Sequence, residues 1–300
     1  MIKDLSRFGF DPAFLACLLE STARKPGNVH PGRAFADAHY LDFALSASNL
    51  AFRLDPDRIR EFGVGWVVRT AVQESHALVG HNTNLGMILL LTPLAGVRRK
   101  AGGLRKGVGR ILDALTIDDA RAVYEAIRIA RPGGLGSVPE HDVADEPTIT
   151  LREAMCLAAP HDAIARQYAT GYADVFDLAL PALRDALRAG RPLETAIVLT
   201  HLTLMAERPD TLIARKCGPS VAHESARRAI AVLASAWPDA PDSIGEIRSF
   251  DAWLRADGHS RNPGATADLI AATLYVALCD GTIDFPRHLS RPGWDAGDVL

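Results

Sequence analysis

Apolar residues along this chain recur three and four positions apart. Val64, Val67, Val68, Ala71, Val72, Leu78 and Val79 form one such stripe after Pro56, and Leu112, Leu115, Val123, Ala126, Ile127 and Ala130 form another. That period places the apolar side chains on one face of a helix. Alternating apolar and polar runs are scarce, and no strand-helix unit repeats. The pattern predicts an all-α protein of about a dozen helices, built as a single large domain over residues 1–300. Expected helices include 15–22, 40–52, 192–207, 219–236, 244–256 and 262–278, with a long helical region over 151–189 interrupted near Pro160. Thr150 and Glu153 have the spacing of a capping box ahead of that region. The longest apolar runs, 87–95 and 269–278, are too short to span a bilayer and read as core helices.

The interruptions carry the polar chemistry. Lys25-Pro26-Gly27-Asn28-Val29-His30-Pro31-Gly32 holds two Pro-Gly pairs in eight residues, which specifies a tight loop between two helices. The loop can merely turn a corner, or it can present Lys25, Gly27, Asn28 and His30 to a ligand. A second loop, His81-Asn82-Thr83-Asn84-Leu85-Gly86, opens the 87–95 run. Asn82 or Thr83 would serve as its N-cap, and the free N–H groups of a helix start favour anions such as phosphate.

A third segment, 208–218, carries Asp210 and Thr211 before a short turn with Arg215 and Lys216. A carboxylate beside cations suits a metal-bridged polyphosphate, and it equally suits an ordinary cap with a basic helix end. The fourth segment, 260–268, places Asn262 as a cap and Pro263 in the first helical position. Gly264 and Ala265 allow close approach of a ligand, and Asp268 opens an otherwise apolar helix. Residues 131–147 are rich in glycine, proline and acidic residues, so they are expected as a long surface loop or lid. The tail 286–300 is expected to be peripheral.

Composition narrows the classes of function. With 48% hydrophobic and 23% charged residues, the chain is that of an ordinary globular protein. A net charge of -3 gives no basic field that would draw in nucleic acid. Cys17, Cys156, Cys217 and Cys279 lie far apart and form no metal-like pair, so they are expected as buried thiols of a cytoplasmic protein. The N-terminus lacks the apolar run of a signal peptide.

Four motifs in order resemble the triphosphoribosyl-dephospho-CoA synthase family, which makes the prosthetic-group precursor of citrate lyase and malonate decarboxylase. They are Lys25-Pro26-Gly27, Asn82-Thr83-Asn84-Leu85-Gly86, Asp210-Thr211 with Arg215, and Pro263-Gly264-Ala265-Thr266-Ala267-Asp268-Leu269. The resemblance spans roughly 15–278. It implies an all-helical enzyme that releases adenine from ATP and transfers the triphosphoribosyl group to the ribose 2'-hydroxyl of 3'-dephospho-CoA or a related acceptor. It also implies magnesium with the triphosphate. The chain departs from the lyase-operon members at Asn84-Leu85, where they carry His-Lys, and at 215–218, where they carry an Arg-Gly-Gly segment.

Transfer from ribose C1' passes through an oxocarbenium-like state. It needs a carboxylate near C1', a donor for departing adenine and a base for the hydroxyl. Asp210 and Asp268 are the candidate metal or catalytic carboxylates, with Glu74 a third catalytic candidate. Lys25, Gly27, Asn28, His30, Asn82, Thr83, Asn84, Gly86, Arg215, Lys216, Pro263 and Gly264 are the candidate nucleotide-binding residues. His30 and His81 could act as acid or base. Other readings are a pentosyl or nucleotidyl transferase of one-carbon cofactor synthesis, and a helical nucleotide-binding protein without catalysis. No membrane or nucleic-acid partner is expected, and a homodimer is left open.

Overall fold

The computed structural model describes residues 11–98, 103–241, 243–284 and 288. The tail expected at 286–300 lies outside them, apart from His288. Fifteen α-helices account for the described architecture: α1 Pro12–Thr22, α2 Tyr40–Arg53, α3 Pro56–Phe62, α4 Val64–Val79, α5 Leu85–Ala95, α6 Leu104–Asp113, α7 Ile117–Ala130, α8 Leu151–Ala158, α9 Ala163–Thr170, α10 Leu180–Arg188, α11 Leu193–Glu207, α12 Thr211–Cys217, α13 Pro219–Ala234, α14 Ser243–Arg255 and α15 Gly264–Asp280. A π-helical segment, Asp174–Ala179, runs into α10. Among the described residues no strand forms, and the single bridge joins His30 to Arg33. The all-α expectation holds. The helix number exceeds the expected dozen because the region 151–189 divides into α8, α9, the π segment and α10 instead of being interrupted once, and because the short α3 and α12 add to the count.

Two apolar clusters fill the molecule. The larger surrounds α15, whose residues from Leu269 to Cys279 are all buried and pack against α1, α5 and the π segment. A helix that is apolar all round belongs in a core, and each fully buried Leu, Ile or Val there stabilises the fold by about 1.5–3 kcal/mol. The smaller cluster joins α11 to α14 through Leu202, Ile213, Trp237, Ile247 and Phe250.

Local chemistry fixes the crossings. Pro93 lies inside α5, so the Leu89 carbonyl loses its helical donor. The Tyr168 hydroxyl of α9 donates to that oxygen at 2.7 Å, and Tyr172 donates to Leu90 O at 2.7 Å. Gly65 lets α4 reach α7: a Cβ there would lie 2.5 Å from the Asp119 backbone. Its N–H donates to Asp119 Oδ1 at 2.7 Å, while Asp119 Oδ2 accepts from Thr116 N at the start of α7. Thr150 and Glu153 form the expected capping box, with Thr150 N donating to Glu153 Oε2 at 2.8 Å.

The four cysteines are free thiols, but only Cys17 and Cys279 are buried; Cys156 is exposed and Cys217 half-exposed. In α8 it is Leu151 and Met155 that face the core, which turns Cys156 outward. Among the described residues no helix is long and apolar enough to cross a membrane.

Candidate active site

The start of α15 is the point that the other three motifs reach. From the first loop, Asn28 Nδ2 donates to Asn262 Oδ1 at 2.7 Å, and Gly27, at φ +74°, packs against Pro263 and Leu254 with no room for a Cβ. Gly27 N donates to Asp251 Oδ1 at 2.7 Å, and the loop closes on itself through His30 N to Arg33 O at 3.0 Å. From the second, Gly86 lies so close to Asp268 that a Cβ would meet Oδ2 at 2.0 Å. From the third, Asp210 caps two helices at once. Its Oδ1 accepts from Leu212 N and Ile213 N of α12, and its Oδ2 accepts from Thr266 N and Thr266 Oγ1 of α15.

Beside this junction opens a cavity of about 1140 Å³. One wall is polar: Glu20, Asn28, His81, Asn82, Asn84, Asp162, Arg215, Lys216 and Asp268. An apolar wall comes from Val123 and Ile127 of α7, Leu151, Met155 and Leu157 of α8, and Leu135 and Val138 of the 131–147 loop. Leu135, Val138 and Leu157 are large hydrophobic side chains left exposed, and all three face this cleft. Four buried polar atoms of the cavity lining have no hydrogen-bond partner among the described residues: Asn28 Oδ1, His76 Nδ1, Asn84 Nδ2 and Arg215 Nε. Orphaned polar groups of this kind mark a place for a polar ligand.

The carboxylates differ sharply in what they touch. Asp268 is half-buried and lines the cavity, and among the described residues its side chain has no hydrogen-bond partner. Burial pushes its carboxyl well above the usual range, and the charges of Glu20, Asp210 and Asp162 push it further, against the pull of Arg215. Asp210 is buried and absent from the cavity wall. Burial raises its carboxyl too, opposed by the hydrogen bonds from α12 and Thr266. Glu20, in the last turn of α1, is buried at the cavity wall, with Lys25 Nζ 2.9 Å from its Oε1. Burial raises the Glu20 carboxyl and Lys25 lowers it.

Several expected site residues therefore stand elsewhere. Asp210 is no metal ligand in this geometry, because both oxygens are occupied by four donors. Lys25 is no phosphate ligand: it is fully buried, and its ammonium is held by Glu20 and by the Ala23 carbonyl at 3.3 Å. Glu74 pairs with Arg53 between α4 and α2, outside the cavity wall. His30 is buried in its own loop, where Nδ1 accepts from Gly32 N at 3.2 Å. Burial, together with Arg255, lowers its pKa to about 4, so it is neutral and no acid near pH 7. Gly27 and Pro263 pack behind the wall and shape it. Pro263 occupies the cap position and α15 begins at Gly264, one residue later than expected, because Asn262 spends its side chain on Asn28.

Asn28, Asn82, Thr83, Asn84, Gly86, Arg215, Lys216 and Gly264 do line the cavity, as does His81. The N-cap of α5 is Asn84, not Asn82 or Thr83 as expected; Asn82 Oδ1 accepts from Leu85 N at 3.1 Å, and Thr83 Oγ1 lies 2.6 Å from Ser46 Oγ. Arg215 Nη1 donates to Asp162 Oδ2. Burial lowers the Lys216 pKa. Sequence reasoning missed Glu20, Asp162, His259 and the apolar wall. A glutamate in the apolar α1, five residues before the Lys25-Pro26-Gly27 turn, was the available signal for Glu20.

The sequence matches the family model described as ATP:dephospho-CoA triphosphoribosyl transferase over residues 11–285. No curated protein matches it. Among solved structures the chain is similar to a candidate triphosphoribosyl-dephospho-CoA synthase from Archaeoglobus fulgidus, at 25% identity and a TM-score of 0.61, covering 79% of this chain and 98% of that one.

Proposed function

The chain belongs to the ATP:dephospho-CoA triphosphoribosyl transferase family, and we propose that the cavity beside the start of α15 is where it moves the triphosphoribosyl group from ATP to dephospho-CoA. The protein is a transferase of this type, similar in fold and sequence to the archaeal synthase. The observation that carries the placement is the meeting of all four motifs at one cavity with orphaned polar atoms on its wall.

The cavity is larger than the usual 300–1,000 Å³ of a single-ligand site, which suits two nucleotide substrates at about 1140 Å³. Arg215 and Lys216 supply positive charge for the triphosphate. Asn28 Oδ1 and Asn84 Nδ2 offer an acceptor and a donor for the sugar or base. The apolar wall of α7, α8 and the 131–147 loop suits the adenine face and the pantetheine arm.

Magnesium fits one carboxylate here. Asp210 has no free oxygen, and among the described residues no three His, Cys, Asp or Glu side chains gather as a ligand set. Asp268 has both oxygens free beside Arg215, and magnesium takes only one or two carboxylates when phosphate and water complete its shell. Asp268 would hold the ion that accompanies ATP. When bound, that ion would offset the triphosphate charge.

The residues' own work is placement and exclusion of water. The polar wall would fix the ribose so that the acceptor hydroxyl faces C1' opposite the bond to adenine. The apolar wall would keep water from competing for that carbon. Incubation of the protein with ATP and magnesium, with and without dephospho-CoA, tests the reading by chromatography of free adenine. Release of adenine that depends on the acceptor is the expected result. No adenine in either case would overturn it.

A further inference from the structure

The cavity wall holds one carboxylate whose environment differs from all the others, Glu20. It is 3% exposed. Its Oε1 takes the Lys25 ammonium at 2.9 Å, and the residue lies on the cavity wall. The neighbouring carboxylates are committed elsewhere. Asp162 caps α9 and pairs with Arg215, Asp142 accepts from Val138 N and Ala144 N within the loop, Asp37 pairs with His259, and Glu140 stands exposed to solvent on the 131–147 loop. Asp268 is the magnesium candidate.

Lys25 makes the arrangement expensive in desolvation. It is 0% exposed, and its ammonium reaches only Glu20 and the Glu20 and Ala23 carbonyls. A buried pair of this kind contributes little net stability against an apolar pair of the same shape. What it does secure is geometry: a carboxylate held in one orientation by the lysine beside it. The backbone of the turn holds Lys25 in turn, with Lys25 N donating to Ala23 O at 2.8 Å and Asn28 N donating to Lys25 O at 3.2 Å.

We propose that the Glu20 carboxylate receives the proton of the acceptor hydroxyl during transfer, and that Lys25 is the positioning residue that aims it. The inference rests on the transferase reading above. In the step, the acceptor 2'-oxygen forms a bond to C1' with its lone pair. The C1'–N9 bond breaks, and its electron pair leaves with adenine, which takes up a proton from water. The hydroxyl proton passes to the Glu20 carboxylate and returns to solvent after product release, so the proton count closes.

The test uses the full chain with ATP, magnesium and dephospho-CoA. Glu20→Gln keeps the shape and removes the acceptor charge. Its kcat should fall about 100-fold or more, the range of a general base, with both KM values within about threefold of wild type, since the loss is confined to the transition state. Glu20→Gln alone leaves Lys25 buried without its partner, so a Glu20→Gln/Lys25→Met pair is made as well. That pair should fold and remain as inactive as the single variant, whereas a purely structural ion pair would be replaced without loss. Lys25→Met alone should also lower kcat. Wild-type kcat in the neutral pair, or raised KM with unchanged kcat in Glu20→Gln, would overturn the assignment to Glu20 and leave the transferase reading intact. Absence of acceptor-dependent adenine release in the wild type would overturn the transferase reading and this inference with it.

Discussion

Asp210 and Asp268 each stand near a helix start, and their surroundings give them opposite tasks. Asp210 uses both oxygens inside the protein, tying the first turns of α12 and α15 together. Asp210→Asn leaves one acceptor oxygen for donors on two helices. It should destabilise the fold by about 1–3 kcal/mol, the cost of stranding buried donors, as read by urea unfolding. Asp268→Asn touches no hydrogen bond, so stability should change by under about 0.5 kcal/mol, while magnesium-dependent ATP binding by calorimetry should be lost. The reverse pattern would return the metal role to Asp210. His30 makes a pH prediction. Its folded pKa is about 4 against an ordinary 6.5, so between those values the unfolded chain binds a proton that the native protein does not. Stability should therefore fall as pH drops from about 6.5 towards 4, by up to about 1.4 kcal/mol per pH unit. Burial holds His201 neutral in the same sense. His30→Gln should flatten the urea midpoint against pH over that window; an unchanged slope would assign the loss elsewhere.

At the scale of elements, the 131–147 loop carries the sharpest expectation. Its Gly133, Leu135, Gly136 and Val138 line the cavity, and its Asp142 ties the loop to itself through two backbone N–H groups. Gly134 and Gly136 adopt positive φ, which side chains resist. We propose that the segment closes over bound nucleotide and acceptor. Limited proteolysis within it should be suppressed by ATP, magnesium and dephospho-CoA together; equal cleavage with and without them would leave it a static wall. The helices themselves were legible in the sequence, because period and caps are local signals: Thr150 with Glu153, Asp210 before α12, the apolar run of α15. Lys25 was misread for the converse reason. Its loop was legible, but the partner that takes its charge, Glu20, stands in the preceding helix, and nothing in a loop motif says which way a lysine points. The division of 151–189 was also hidden, since breaks at Ala159–Asp162 and Gly171 depend on how α9 docks its tyrosines onto α5.

At the scale of the molecule, the central α15 presents its first turn to three loops whose motifs lie far apart in sequence. The order of four short motifs carried the family, because together they specify what none specifies alone. Their order could not say which members face the cavity: Asn28, Asn84, Arg215 and Asp268 do, while Lys25, Gly27, Asp210 and Pro263 stand behind the wall and hold it. The apolar wall of α7 and α8 had no sequence signal, since its residues are ordinary helix-face residues until the cleft leaves them open. The central claim is that this cavity joins the triphosphoribosyl group of ATP to dephospho-CoA. Mass spectrometry of the acceptor after incubation with ATP and magnesium tests it most directly. The account predicts dephospho-CoA heavier by one triphosphoribosyl unit, with an equal amount of adenine freed and the mass gain lost in Asp268→Asn. Adenine released with the acceptor mass unchanged would show that water, and not dephospho-CoA, takes the sugar, and would contradict it.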